Sequence, residues 1–289
     1  MANSITLFKK YIDQLDDVYK YSALSADLDS DPATAQQGAN ANEIIIPKIS
    51  MQGLANYSRN SGYVNGDVTL TNETVKFNYD RARKFGVDAM DNEETAGVAF
   101  GKLAAEFLRT QVVPEMDAFT FATLAQVEGI STADAAALST GANVISALRA
   151  ATNAMDEDEV PMEDRILYIT PTLYGLVQDL DTTKSREVMA RFAKAVLVPQ
   201  TRFYTEITMN DGTTSGQEAG GYTKSGSNIN FLVASKSAVI KYNKHVVSKI
   251  ITPDENQNSD GWVFFYRACG LVDAYENKAA GIYLHKSTN

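Results

Sequence analysis

The stretch from residue 54, LANYSRNSGYVNGDVTLTNETVKFNYD, constrains this chain more than any other. Val68 and Leu70 alternate with Thr69 and Thr71, and Val75, Phe77 and Tyr79 alternate with Lys76, Asn78 and Asp80. A period of two marks strands with one face to bury. Gly62, Asn65-Gly66 and Asn72 supply turn chemistry between these runs. The pattern predicts extended arms with polar, glycine-rich ends and few apolar residues. Such a hairpin is at best marginally stable alone in water, so it needs something to lie against.

The remainder excludes several classes of function. The 289 residues suffice for one large domain or two smaller ones, and a hydrophobic share of 44% excludes global disorder. No apolar run approaches the ~20 residues of a membrane-spanning helix. The first residues, MANSITLFKKYIDQLDDVYK, lack the apolar core of a signal peptide and fit an amphipathic helix of mixed charge, which points to a cytoplasmic protein without a membrane partner. With 26 basic against 36 acidic residues, the net charge is −10. A specific nucleic-acid binder shows a basic footprint, which is absent here. The same acidity does not count against enclosing DNA, because an acidic wall avoids sticking to a polyanion.

Catalytic chemistry is poorly represented. Cys269 is the single cysteine, which excludes a disulfide framework and a Cys-rich zinc site. With His245 and His285 it could supply a thiol and a base. It sits instead in a strand pattern, YRACGLVDAY, where a lone cysteine is a small hydrophobe. The histidines lack metal-ligand spacing, and Gly212, Gly216, Gly220 and Gly221 match no phosphate-binding motif, so residues 209–227 are expected to be a flexible loop. Asp156-Glu157-Asp158-Glu159 lacks the ligand spacing and central glycine of a calcium loop and reads as a solvated acidic turn. No cofactor and no metal are expected.

Along the chain, residues 22–40 read as a small, polar linker and 42–49, NEIIIPKI, as a strand with Pro47 at an edge or break. A helix is expected to start at Asp91, with Glu94 completing a capping-box pattern, and to kink or break at Pro114. Further helices are expected on 141–155, on PTLYGLVQDL and on SREVMARFAKAV, and strands on RILYI, NINFLVAS, AVIKYN, VVSKIIT, WVFFYRACGLVDAYEN and GIYLHK.

The series GLANYSRNSGYVNGDVTL and TVKFNYDRARKFGVDAMDNEETAG resembles major capsid proteins of tailed double-stranded-DNA bacteriophages. So do VPQTRFY, ASKSAVIKYNKH and WVFFYRACGLVDAYENKAAGIYLH. The likeness runs along almost the whole chain in order. It implies an α+β fold, the Hong-Kong-ninety-seven-like capsid fold. The arm would be 1–41, and 42–134 the first part of a peripheral domain, with an extended loop at 50–88 and a spine helix at 92–126. An axial domain would cover 135–245, and 246–289 would return as C-terminal strands to the peripheral and axial core. The implied function is a shell of pentamers and hexamers around packaged DNA, located in the virion and assembled in the host bacterial cytoplasm. The implied partners are other copies of the chain, a separate scaffold protein, a portal and a decoration protein. Tyr57, Arg59, Tyr63 and Asp67 on the loop, with Arg81, Arg83, Lys84, Asp88, Glu93 and Glu94 in two charged clusters, are the candidate inter-subunit residues. Some relatives lock subunits through a loop lysine; residues 54–75 contain none, and Arg59 stays protonated, so non-covalent contacts are expected. The alternatives are an encapsulin-like nanocompartment shell, a cysteine-dependent enzyme, and a monomeric adhesin or tail component.

Overall fold

The computed structural model describes residues 23–30, 36–37, 43–94, 103, 106–180 and 182–288. The expected N-terminal helix lies outside these residues. Two sheets share one long helix. The larger has five strands in the order Ser131–Ala133, Ile282–Lys286, Ile229–Ser235, Arg165–Ile169 and Lys194–Leu197. Strands 165–169 and 229–235 are buried at every position, as expected of strands covered on both faces. Leu167, Ile169, Phe231 and Val233 pack against Val144, Leu148 and Met155 of helix Gly141–Glu157 and Leu173 and Val177 of helix Pro171–Leu180. The alternate residues Ile166, Tyr168, Leu232 and Ala234 meet Phe121 and Leu124 of helix Val113–Gln126. The sheet is thus a layer between helices, and the period of two decides which helix each side chain meets.

Three local outcomes differ from expectation. The helix expected over SREVMARFAKAV stops at Met189, and Lys194–Leu197 becomes a strand parallel to 166–169. Ala193 N–H donates to Arg165 O at 2.9 Å, drawing the chain onto the sheet edge. The acidic run is partly structural. Helix 141–157 extends through Asp156, whose carboxylate holds the fully buried Arg165 at 2.7 Å and Arg191 at 2.8 Å. Residues 22–40 are not simply a linker, because Leu28 is fully buried in the main core.

The second sheet has the order Val239–Ile251, Gly261–Ala274, Tyr79–Asp88, all antiparallel. The runs AVIKYN and VVSKIIT are therefore one strand, with a register shift between Asn243 and His245. Tyr79, Phe264, Tyr266 and Ala268 face the long helix at Phe107 and Phe119. Pro114 does not break that helix. Residues Leu108–Val112 take the wider π form and α geometry resumes at Val113, with Pro114 in its first turn. Proline has no N–H to return to the preceding turn, and a π turn accommodates the missing bond. The start also shifts. A short helix spans Ala89–Glu94, and Asp88 caps it by accepting Met90 N–H at 2.9 Å, so the cap lies three residues before the expected Asp91.

Strand 282–286 returns the C-terminus to the five-stranded sheet, between 131–133 and 229–235. There the His285 ring stacks on Phe231 at 4.9 Å, and its Nδ1 lies 3.1 Å from Asn230 Nδ2. That amide nitrogen also faces Ala136 O and Lys286 O, so it donates and the histidine nitrogen accepts. Burial lowers the His285 pKa below its ordinary value. The unfolded chain then binds the proton more tightly, so this group's contribution to stability is constant above about pH 7 and falls as pH drops through about 6.5. Thermal unfolding followed from pH 8 to 5 should show this fall, and His285→Gln should remove that part of it.

Candidate functional site: a projecting hairpin

Strand Glu43–Met51 pairs with Val68–Lys76 through nine register partners, from Glu43 opposite Lys76 to Met51 opposite Val68. The expected arms divide differently: residues 68–76 form one strand, whose partner is the NEIIIPKI segment, while Tyr79 and Asp80 open strand 79–88 of the second sheet. Asn72 is not a turn; it sits in mid-strand opposite Pro47. Pro47 lies where its strand has a neighbour on one side among the described residues, the position proline tolerates in a sheet.

Opposed residues of an antiparallel pair share a face. Ile49 with Leu70 and Met51 with Val68 therefore form one apolar face, while Ser50 with Thr69 lies on the other. The four apolar side chains are 61%, 64%, 72% and 70% exposed, respectively. Leu54, Tyr57, Tyr63 and Val64 continue the exposure into the tip. Exposed apolar faces of this kind commonly mark interaction sites.

The tip is closed by its own chemistry. Gln52 and Asp67 bracket the arms: Gln52 N–H donates to Asp67 O at 3.2 Å, and Asp67 N–H donates to Gln52 Oε1 at 3.3 Å. Ser58 and Gly62 exchange backbone bonds, and Gly62 takes φ +76°, a conformation suited to glycine. The Tyr57 and Tyr63 rings meet edge to face at 5.0 Å. Arg59 lies exposed in the turn between them.

The base of the hairpin is fixed to the body. Val75 is buried against Ile240 and Leu271, and Phe77 packs nearby with Tyr242. Asn78 imitates a strand residue at the corner: its side chain donates to Val272 O at 2.7 Å and accepts Val272 N–H at 3.1 Å. The chain then enters strand 79–88 of the second sheet.

The first charged cluster serves its own chain. Arg81 Nε donates to Glu115 Oε1 at 2.8 Å, and its other nitrogens donate to Asn210 O at 2.7 Å and Gly221 O at 3.2 Å. Arg83 donates to Glu218 O at 3.2 Å. These arginines hold the glycine-rich loop, expected to be flexible, against strand 79–88. Asp211 stiffens the loop by accepting Thr213 and Thr214 N–H, both at 2.8 Å. Gly212 has φ +76°, and a Cβ there would lie 2.7 Å from Arg83 Nη1. Between loop, strand and helix lies a cleft of about 620 Å³, with Tyr79, Phe85, Phe107 and Tyr266 in its lining. Lys84 Nζ lies 5.5 Å from the Phe265 ring. Glu93 and Glu94 belong to helix 89–94. Because Arg81 joins the long helix to the loop through charge-assisted bonds, Arg81→Met should cost about 2 kcal/mol of stability, measured by urea unfolding. It should also raise hydrogen exchange at Asn210 and Gly221 while leaving strand 229–235 unchanged.

Cys269 pairs in register with His245 on one side and Asp80 on the other, so the sheet brings the thiol and the imidazole together. Neither lines the cleft. Arg267 engages Asp80 at 2.7 Å, and this bond holds the Asp80 carboxyl below its ordinary pKa. No group of three or more potential metal ligands occurs among the described residues, and no helix among them is long and apolar enough to cross a membrane.

No family profile and no curated protein matches the sequence. Solved structures do match in shape. The asymmetric unit of the bacteriophage PhiM1 mature capsid superposes with a TM-score of 0.65 at 13% identity, covering 99% of this chain and 93% of that one. The capsid structure of the cyanophage P-SCSP1u gives 0.62 at 14% identity, covering 98% and 93%. A virus-like particle from Pyrococcus furiosus gives 0.53 at 13% identity, covering 91% and 96%. Coverage of nearly the whole length on both sides defines the class: the chain has the mixed helix-and-sheet fold of these shell proteins. That fold is the Hong-Kong-ninety-seven-like capsid fold, the one the sequence motifs resembled.

Proposed function

We propose that this chain is the major capsid protein of a tailed double-stranded-DNA bacteriophage. Many copies tile a closed shell in rings of five and six. The observation that carries this reading is the projecting hairpin, whose exposed apolar face is built into a fold shared with capsid proteins. A second copy supplies the missing cover, and each subunit making several such contacts gives cooperative assembly. In this reading the five-stranded sheet with its helices is the axial domain, and the three-stranded sheet with the long helix is the peripheral domain. Tyr57, Arg59 and Tyr63 at the tip, with Lys84, Asp88, Glu93 and Glu94 near the far end of strand 79–88, meet neighbouring subunits. The net charge of −10 suits a wall that encloses DNA without adhering to it. A scaffold protein, a portal and a decoration protein complete the set of partners, and the virion is the site of action after assembly in the bacterial cytoplasm. The role is mechanical, not catalytic.

The likeness to the Pyrococcus furiosus particle supports a second reading, a nanocompartment shell of the encapsulin kind. Negative-stain microscopy and sedimentation of the purified chain test the shell itself: rings, tubes or closed particles are expected, and a well-folded monomer at high concentration would overturn it. The contents of native particles separate the two readings, since nucleic acid is expected and a protein cargo would favour the second. Cys269→Ser particles should assemble as the natural chain does.

A further inference from the structure

We infer that residues 24–30 form a releasable strap, a second fixing point for the N-terminal part of the chain that opens without unfolding either sheet. The inference rests on contacts within one chain and not on the proposed shell. The strap touches three distant elements. Asp117 of the long helix accepts Leu24 N–H and Ser25 N–H at 3.1 Å and the Ser25 hydroxyl at 2.7 Å. Lys241 of strand 239–251 donates to Ser25 O at 2.9 Å, to Ser25 Oγ at 3.0 Å and to Asp29 Oδ1 at 2.8 Å. The Ser30 hydroxyl donates to Val239 O at 3.2 Å and accepts Lys241 N–H at 3.0 Å. Lys194 of the five-stranded sheet meets Asp27 at 2.6 Å.

Three features make this a strap laid over the core, to which it contributes Leu28. Its only regular structure is one 3-10 turn, Ala26–Leu28, and no strand ladder holds it. Its fixings are polar groups that water replaces, with Leu28 as its one fully buried large apolar anchor. Opening also strands no buried carboxylate, because Asp117 keeps Arg202 Nη1 at 2.9 Å, while Lys241 loses its cover and becomes hydrated. The other fixing is of a different kind: Gln36 and Gln37 pair with Ile45 and Ile44 of strand 43–51, which is itself held by nine register partners. Among the described residues, release of the strap therefore moves the first fixing from Leu24 to Gln36. This lengthens the tethered stretch by 36 − 24 = 12 residues, or roughly 40 Å of extended chain. The strap gives the N-terminal segment a short and a long reach from one fold.

Hydrogen exchange on the full-length chain tests this. The amides of Leu24, Ser25 and Ser30 should exchange at least about tenfold faster than those of strand 229–235 and show little dependence on low urea. Asp29→Asn, at a half-exposed position, should speed them about threefold to tenfold. Lys241→Met should speed them about a hundredfold. Strand 229–235 should keep its rates in both variants. Strap amides that exchange in step with strand 229–235, with the same urea slope, would overturn the proposal. So would an Asp29→Asn chain in which both sets accelerate together.

Discussion

A chain whose residues 49–70 are replaced by a short Gly-Ser turn should fold as a stable monomer and form no shells. The cut is placed by the register. Lys48 and Thr71 are cross-strand partners, so a turn between them leaves the inner half of the hairpin paired. Every residue removed is exposed except the half-buried Gly62. Surface losses of this kind change stability by about 0.5 kcal/mol or less, and the melting temperature should move by no more than ~2 °C. The effect on assembly is far larger. Full burial of Ile49, Met51, Val68 and Leu70 against a neighbour contributes at most roughly 6–12 kcal/mol per contact. That is comparable with the entropy cost of association, so its loss leaves nothing to drive closure. A finer pair separates the two faces of the hairpin. Ile49→Ser with Leu70→Ser should block assembly, whereas Ser50→Ala with Thr69→Ala should not. Sedimentation and microscopy read the particles, and circular dichroism reads the fold. Normal shells from the shortened chain would remove the hairpin from the interface, and outright unfolding would place it in the core.

How far the sequence could be read depended on which contacts are local. Strands 165–169 and 229–235 of the five-stranded sheet were legible because RILYI and INFLVAS are largely apolar runs, and helix 141–157 because Val144, Ile145, Leu148 and Met155 keep a helical period, whereas the short strands 131–133 and 194–197 were not. The projecting hairpin was legible as a hairpin but not in its pairing. Thr71 and Asn72 look like a turn when the partner strand is unknown. Only the matching alternation of Ile45, Pro47, Ile49 and Met51 with Val68 and Leu70 would have revealed it. Arg81 shows the opposite limit. Arg81-Ala82-Arg83-Lys84 reads as a surface cluster, but the first arginine is drawn inward by Glu115, 34 residues away, and by carbonyls 129 and 140 residues away. The strap was missed for the same reason. Ser25 and Asp29 look like linker residues until Asp117 and Lys241, 92 or more positions distant, are brought beside them. Short polar segments carry no periodicity, so their burial is decided entirely by what the rest of the chain places around them.

Among single substitutions, Asp117→Ala should be the most damaging. Its carboxylate is fully buried, at 0% exposure, and Arg202 is 4% exposed at the other end of a 2.9 Å contact. The same carboxylate receives the first amides of the strap. Taking two charges out of water is costly, and their mutual attraction offsets that cost only while both remain. Removing the carboxylate leaves a buried guanidinium without that counter-charge, which costs about 3–5 kcal/mol. The melting temperature should fall by ~10 °C. Asp117→Asn keeps the shape and part of the hydrogen bonding, so its loss should be about half as large. The double variant Asp117→Leu with Arg202→Met decides the mechanism. Two apolar groups of similar volume need no counter-charge, so this chain should recover more than half of what Asp117→Ala loses, although its strap amides stay unprotected. If the double variant is instead less stable than Asp117→Ala, the pair contributes more than its desolvation costs, and the buried charges are a source of stability in their own right. Urea unfolding of the three variants, with hydrogen exchange at Leu24 and Ser25, measures both halves of the argument.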